Sequence, residues 1–111
     1  RFAISGGAPL ARDISTFFHA CDILILEGYG LTETTGAITV NSPFDYNFGS
    51  VGKPFGDVRV KIADDGEILV KSDKVTRGYF KDPQSTAEAF IEGWFKTGDI
   101  GELSASGELT I

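Results

Sequence analysis

Methionine is absent from these 111 residues, and cysteine, histidine and tryptophan occur once each. A single cysteine, Cys21, excludes an internal disulfide framework. With His19 as the only histidine, four-ligand Cys/His zinc sites are excluded as well. Basic residues are few: 10 Lys and Arg against 16 Asp and Glu give a formal charge of −6. No basic stripe exists to displace phosphate counterions, which argues against a nucleic-acid partner. No stretch approaches the ~18 consecutive apolar residues of a membrane span. Arg1 to Gly7 holds too short an apolar run for a signal peptide, and the lack of any Met suggests a segment of a longer product. These absences favour a cytoplasmic protein and leave a peripheral membrane association open.

The composition that remains, 41% hydrophobic and 23% charged, is that of a globular chain. Its length suits one domain that buries roughly two-thirds of its unfolded surface. Phe2 to Ser5 reads as a short buried strand ended by Gly6-Gly7, and Pro9 suits the first turn of a helix. Leu10, Ile14, Phe17, Phe18 and Cys21 recur at helical spacing, and the apolar run Ile23 to Leu26 follows as a strand buried on both faces. The fold class expected is therefore an α/β fragment. Its βαβ unit comes from the edge of a larger, mainly parallel sheet and is followed by a small antiparallel β subdomain. Residues 1–41 would be the C-terminal part of an α/β nucleotide-binding subdomain, 42–56 a loop, and 57–111 the β subdomain with one short helix.

Within that last region, Val58, Val60 and Ile62 alternate with Arg59 and Lys61 before Asp64-Asp65-Gly66 turns the chain into Glu67 to Lys71, a hairpin signal. Ser85 to Glu88 has the form of a capping box, with Asp82-Pro83 as an alternative start; the helix is expected to reach Phe90 or Ile91. A second hairpin is expected around Ser104 to Gly107.

Several chemistries fail on spacing. Gly49 to Lys53 lacks the spacing and terminal Ser/Thr of a Walker loop, and Glu33 stands where a dinucleotide fingerprint needs its third glycine. There is no G-x-S-x-G elbow. His19, just after Phe17 and Phe18, reads as a packed or helix-capping residue rather than a base.

Three glycine-bearing segments carry the remaining chemistry. Ser5 to Pro9 follows a strand, where open α/β sheets bind ligands and where glycines admit a flat ring; from local sequence alone a tight βα turn is the favoured reading. Glu27 to Gly36 sets Tyr29 between two glycines as an aromatic face. Beside it, Thr32 offers a hydroxyl for a phosphate and Glu33 a hard oxygen for Mg²⁺, unless this is a polar loop around a packed tyrosine. Gly93 to Ile100 contains Asp99, which could accept from a ribose diol or simply close a turn.

Taken together and in this order, these segments resemble the adenylate-forming superfamily of acyl-CoA synthetases, luciferases and peptide-synthetase adenylation domains. The resemblance also takes in Val51 to Pro54, Gly66 to Ile68 and Gly78 to Phe80. Leu31 favours the synthetase and luciferase branches over adenylation domains, and the general look is that of a fatty acyl-CoA synthetase. The resemblance implies that Gly6, Gly7, Ala8 and Pro9 border an adenine, with Glu27 and Gly28 on the same wall and Tyr29 stacked on the ring. It further implies that Thr32 holds the α-phosphate, Glu33 binds Mg²⁺ and Asp99 holds the ribose hydroxyls. Gly28, Gly30 and Leu31 would also border an acyl channel. The implied substrates are ATP, a fatty acid or other carboxylate, and coenzyme A, combined through an acyl-adenylate.

The same resemblance implies a phosphate-gripping loop upstream of Arg1 and a mobile domain with a catalytic lysine after Ile111. Without them the 111 residues are expected to bind Mg·ATP weakly and to form no acyl-CoA. A non-catalytic nucleotide-binding module is a rival reading, as is a purely structural fragment. The first is opposed by Thr32 and Glu33, which a module needing only adenosine would not use. An acyl-AMP ligase serving a carrier protein is a rival within the enzyme class.

Overall fold

A computed structural model describes all 111 residues. The chain runs β1 (Phe2–Ser5), α1 (Arg12–Ala20), β2 (Leu24–Leu31), a 3₁₀ turn (Thr32–Thr34), β3 (Gly36–Val40) and β4 (Lys53–Pro54). It continues through β5 (Arg59–Ile62), β6 (Glu67–Lys71), α2 (Pro83–Glu88), β7 (Phe90–Ile91), β8 (Trp94–Ile100), β9 (Glu102–Leu103) and β10 (Leu109–Thr110). Strands 1 to 4 form one sheet in sequence order. Strands 5, 6, 8 and 7 form a second, and strands 9 and 10 pair as a hairpin. No helix is long and apolar enough to cross a membrane.

The expected βαβ unit is present, with β1 parallel to β2 across Phe2–Leu24 to Ser5–Glu27. Both hairpins also form where expected: β5 pairs antiparallel with β6 around Gly66 (φ 89), and β10 with β9. Other details differ. Pro9 lies before the helix, not in it: Ala11 is still extended (φ −60, ψ 132) and the helix begins at Arg12, while the Leu10 N–H donates to the Glu27 carboxylate at 3.1 Å. Strand β2 runs past Leu26 to Leu31, pairing antiparallel with β3, a continuation that the Thr- and Gly-rich sequence does not announce. Asp82, not Ser85, caps α2, accepting from the Ser85 N–H at 3.0 Å. That helix stops at Glu88 because Phe90 and Ile91 pair with Phe95 and Trp94 instead, ring against ring at 5.5 Å for Phe90 and Phe95.

The core lies between the sheets. Ile38 of β3, Ile68 and Val70 of β6 and Leu109 of β10 are each fully buried, joined by Val58. This cluster fastens the first sheet to the second and so fixes β2 relative to β8. The apolar faces of β1 and α1 are not covered within this chain: Phe2, Ile4, Ile14 and Phe17 are exposed, contrary to the expectation of a buried β1. His19 lies edge-on to Phe48 at 5.3 Å but stays exposed, so it is not the packed residue expected.

Candidate active site

Three segments far apart in sequence meet around one cavity of about 320 Å³. Its wall includes Gly7, Ala8 and Pro9 from the β1–α1 loop, Glu27 to Leu31 from β2, and Asp99 from β8. Such a volume lies in the range of small-molecule sites. Parallel pairing of β1 and β2 puts the loop after β1 beside the second half of β2. The shared core then carries the end of β8 to the same place. Gly6 is not on this wall. It borders a second, more open cavity of about 530 Å³, which shares Gly7 and Gly28 to Leu31 with the first and adds Thr32 and the apolar Ile4, Val40 and Phe55.

Glu27 is almost fully buried. Its side chain accepts from the Leu10 N–H, holding the Gly7–Leu10 loop against β2. Its carbonyl accepts from Asn41, whose side-chain amide also donates to the Ser50 carbonyl at 2.6 Å, so β2 and the following loop share one polar hub. The Tyr29 hydroxyl donates to Asp99 Oδ2 at 2.5 Å, bridging β2 to β8 and leaving Asp99 Oδ1 without a protein partner. Burial, then the adjoining Asp99 carboxylate, pushes the Tyr29 phenol well above its ordinary value, so it stays a donor.

Gly30 has a different reason to be glycine than an open channel. A Cβ there would stand 2.2 Å from the Gly36 carbonyl oxygen and 2.6 Å from Ala37 Cα. Strand β3 occupies the space, at the point where its register with β2 shifts.

Beyond β2 the chain closes into the 3₁₀ turn. Buried Thr34 fastens it: its Oγ1 accepts from the Leu31 N–H at 2.9 Å and lies 2.9 and 2.8 Å from the Leu31 and Gly36 carbonyls. Thr32 is exposed with its hydroxyl free of protein partners. The Glu33 carboxylate has one oxygen, Oε1, accepting from the Tyr79 hydroxyl at 3.1 Å, while Oε2 has no protein partner. No cluster of three acidic, His or Cys side chains exists to cage a metal. A lone carboxylate oxygen beside a free hydroxyl fits Mg²⁺, which takes one or two carboxylates and completes its shell with water and phosphate. Thr34 and Tyr79 stand inside segments that carry the resemblance, without a site role of their own, and nothing in the sequence singles out Asn41.

A family model described as AMP-binding enzyme matches residues 1–80. The long-chain-fatty-acid–CoA ligase FadD15 of Mycobacterium bovis is 47% identical over 111 residues, which is all of this chain and 18% of that protein. A fatty acyl CoA synthetase of Mycobacterium tuberculosis superposes with a TM-score of 0.86 at 36% identity, covering 100% of this chain and 24% of that one. O-Succinylbenzoate coenzyme A synthetase from Bacillus subtilis, solved in complex with ATP and magnesium ion, gives 0.87 at 32% identity, covering 99% of this chain and 26% of that one. This chain thus spans about a quarter or less of the proteins it matches. The β1 and β2 loops that line the cavity fall within the matched residues, and on that match the chain belongs to the AMP-binding enzyme family.

Proposed function

We propose that this chain forms the adenine-, ribose- and metal-binding part of an ATP-dependent fatty acid–CoA ligase. The observation that carries the reading is the single cavity onto which Gly7 to Pro9, Glu27 to Gly30 and Asp99 converge from three segments. On this reading Gly7 to Pro9, Glu27 and Gly28 border the base, and Tyr29 offers its ring face to it. Asp99 uses its free oxygen to accept from a ribose hydroxyl, its other oxygen being fixed by Tyr29. Thr32 donates to the α-phosphate and Glu33 supplies one oxygen to Mg²⁺. When bound, the cation neutralises charge that develops on the phosphate oxygens. The chain's own residues contribute by holding base, sugar and α-phosphate in register, so that a carboxylate can attack the α-phosphorus in line and displace pyrophosphate.

The second cavity, with Ile4, Val40 and Phe55 on its wall, offers an apolar surface next to Leu31 and Thr32 and suits an acyl chain. The names borne by relatives favour a fatty acid as the carboxylate and coenzyme A as the acceptor. Residues 1–41 then act as the end of a nucleotide-binding subdomain and 57–111 as a β subdomain that brings Asp99. The protein would work in the cytoplasm. No Lys or Arg lines either cavity. Neither cavity therefore offers a cation to the polyphosphate, and the chain alone should bind Mg·ATP weakly and turn nothing over.

The test is ATP–pyrophosphate exchange by the full-length protein with a series of fatty acids. Exchange that depends on the fatty acid, is lost in Glu33→Ala and is absent from the purified 111-residue chain agrees with the proposal. Nucleotide binding without any carboxylate-dependent exchange overturns it in favour of a non-catalytic module.

A further inference from the structure

The turn that carries Glu33 is held from outside by the segment leading into α2. The Thr76 N–H donates to the Glu33 carbonyl at 2.6 Å, the Thr35 hydroxyl donates to the Lys74 carbonyl at 2.8 Å, and the Tyr79 hydroxyl donates to Glu33 Oε1 at 3.1 Å. Thr35 needs such support. It sits at φ 53, ψ 42, a left-handed conformation that a β-branched residue resists and that persists where surrounding contacts impose it. Tyr79 is itself fixed: its N–H donates to Thr86 Oγ1 at 2.9 Å, and that hydroxyl donates in turn to the Asp82 carbonyl at the cap of α2 at 2.8 Å.

We propose that Tyr79 is a positioning residue, which orients the Glu33 carboxylate by occupying Oε1 and leaves Oε2 as the oxygen presented to a divalent cation. The inference rests on Glu33 being the metal ligand. A free glutamate side chain must surrender rotamer freedom when it coordinates, and a hydrogen bond made beforehand lowers that cost. Outer partners of metal-binding carboxylates act in this way, and their loss typically costs 10–100-fold in metal affinity. The device also links the cation site to α2, 50 residues on, so that the cap at Asp82 and the carboxylate at Glu33 belong to one chain of contacts.

The experiment is a double-mutant cycle in the full-length protein. Manganese binding in the presence of saturating ATP is followed by electron paramagnetic resonance, and AMP binding is measured separately in EDTA. Tyr79→Phe should raise the manganese midpoint by roughly tenfold or more and leave AMP affinity in EDTA unchanged. Glu33→Gln should raise it at least as far, and adding Tyr79→Phe to Glu33→Gln should change it no further. A normal midpoint in Tyr79→Phe, with Glu33→Gln impaired, overturns the positioning role alone. An undisturbed midpoint in Glu33→Gln overturns the metal-ligand reading and this inference with it. Equal shifts from Tyr79→Phe in both backgrounds show that it acts through some other group, and also overturn it. Thr86→Val, which removes the acceptor for the Tyr79 N–H, should give a smaller shift in the same direction; a midpoint unmoved in Thr86→Val removes α2 from the proposal.

Discussion

The two ends of this chain use the same kinds of apolar side chain and treat them oppositely. From β3 onward, Ile38, Ile68, Val70 and Leu109 are fully buried against one another across two sheets and a hairpin. In β1 and α1, Phe2 is 58%, Ile4 67% and Phe17 63% exposed. Propensity and periodicity are equally good in the two regions, since β1 and α1 form where the sequence expects a strand and a helix. What differs is whether a second layer exists within the chain. A sheet or helix is apolar on one side in order to meet another element, and stability follows from that meeting rather than from the element itself. The cavity lies on the boundary between the two regions, with Gly7 to Pro9 from the uncovered side and Asp99 from the packed side.

The comparison is broken most forcefully from the packed side. Ile68→Ala removes a fully buried side chain from the cluster that joins the sheets. A loss of about 2–5 kcal/mol is expected, because a core cavity adds to the lost transfer energy. Urea unfolding of the 111-residue chain, followed by the fluorescence of its single Trp94, measures it. A loss below about 1 kcal/mol would mean that this cluster does not hold the sheets together.

Next in size is the seam. Gly30→Ala forces a Cβ into the backbone of β3, at 2.2 Å from the Gly36 oxygen. Overpacking of this kind costs about 1–3 kcal/mol, and the same urea titration reads it. Because β2 must move to relieve the clash, AMP affinity should fall together with stability. Unchanged unfolding in Gly30→Ala would restore the idea that this glycine merely leaves an open channel.

Sequence and structure part company along this same seam. Strands with their own apolar alternation, β5 and β6, were legible together with their Gly66 turn, because a hairpin is a local object. Strand β3 was not: Gly36 to Val40 pairs with Gly28 to Leu31, beyond the apolar run that marks β2, and nothing local announces that pairing. The site was legible as an ordered set of motifs, and the roles of Tyr29, Thr32, Glu33 and Asp99 came from family resemblance rather than from their spacing. The bonds from Tyr29 to Asp99 and from Tyr79 to Glu33 span 70 and 46 residues. Such contacts depend on how the two sheets dock, which no window of sequence contains.

The Tyr29–Asp99 bond gives a smaller and pH-dependent way to sharpen the comparison, since it is the polar counterpart of the apolar core in joining β2 to β8. Tyr29→Phe should cost about 1.5 kcal/mol, the low end for a hydrogen bond to a charged group because the site is only partly buried. The folded-state phenol is raised above its unfolded value, first by burial and then by Asp99. Its contribution is therefore fully present below the ordinary tyrosine range and is lost as pH rises through it toward the folded value. Stability measured across alkaline pH should fall less steeply in Tyr29→Phe than in the parent. Parallel curves would mean that the phenol is not held in this way.

On the uncovered side the expected effect of truncation is close to nil. Ile4→Ser in β1 changes a side chain that is 67% exposed and should move the urea midpoint of this chain by less than the equivalent of about 0.5 kcal/mol. The instructive comparison is the same substitution in the full-length protein. If a further layer covers β1 there, Ile4→Ser becomes a core mutation with a cost approaching that of Ile68→Ala, and the two regions cease to differ. If the cost stays negligible in both, the exposed face of Phe2, Ile4 and Phe17 is a surface in the full-length protein as well. The contrast between the regions then belongs to the fold itself, not to the stretch of chain over which it is measured.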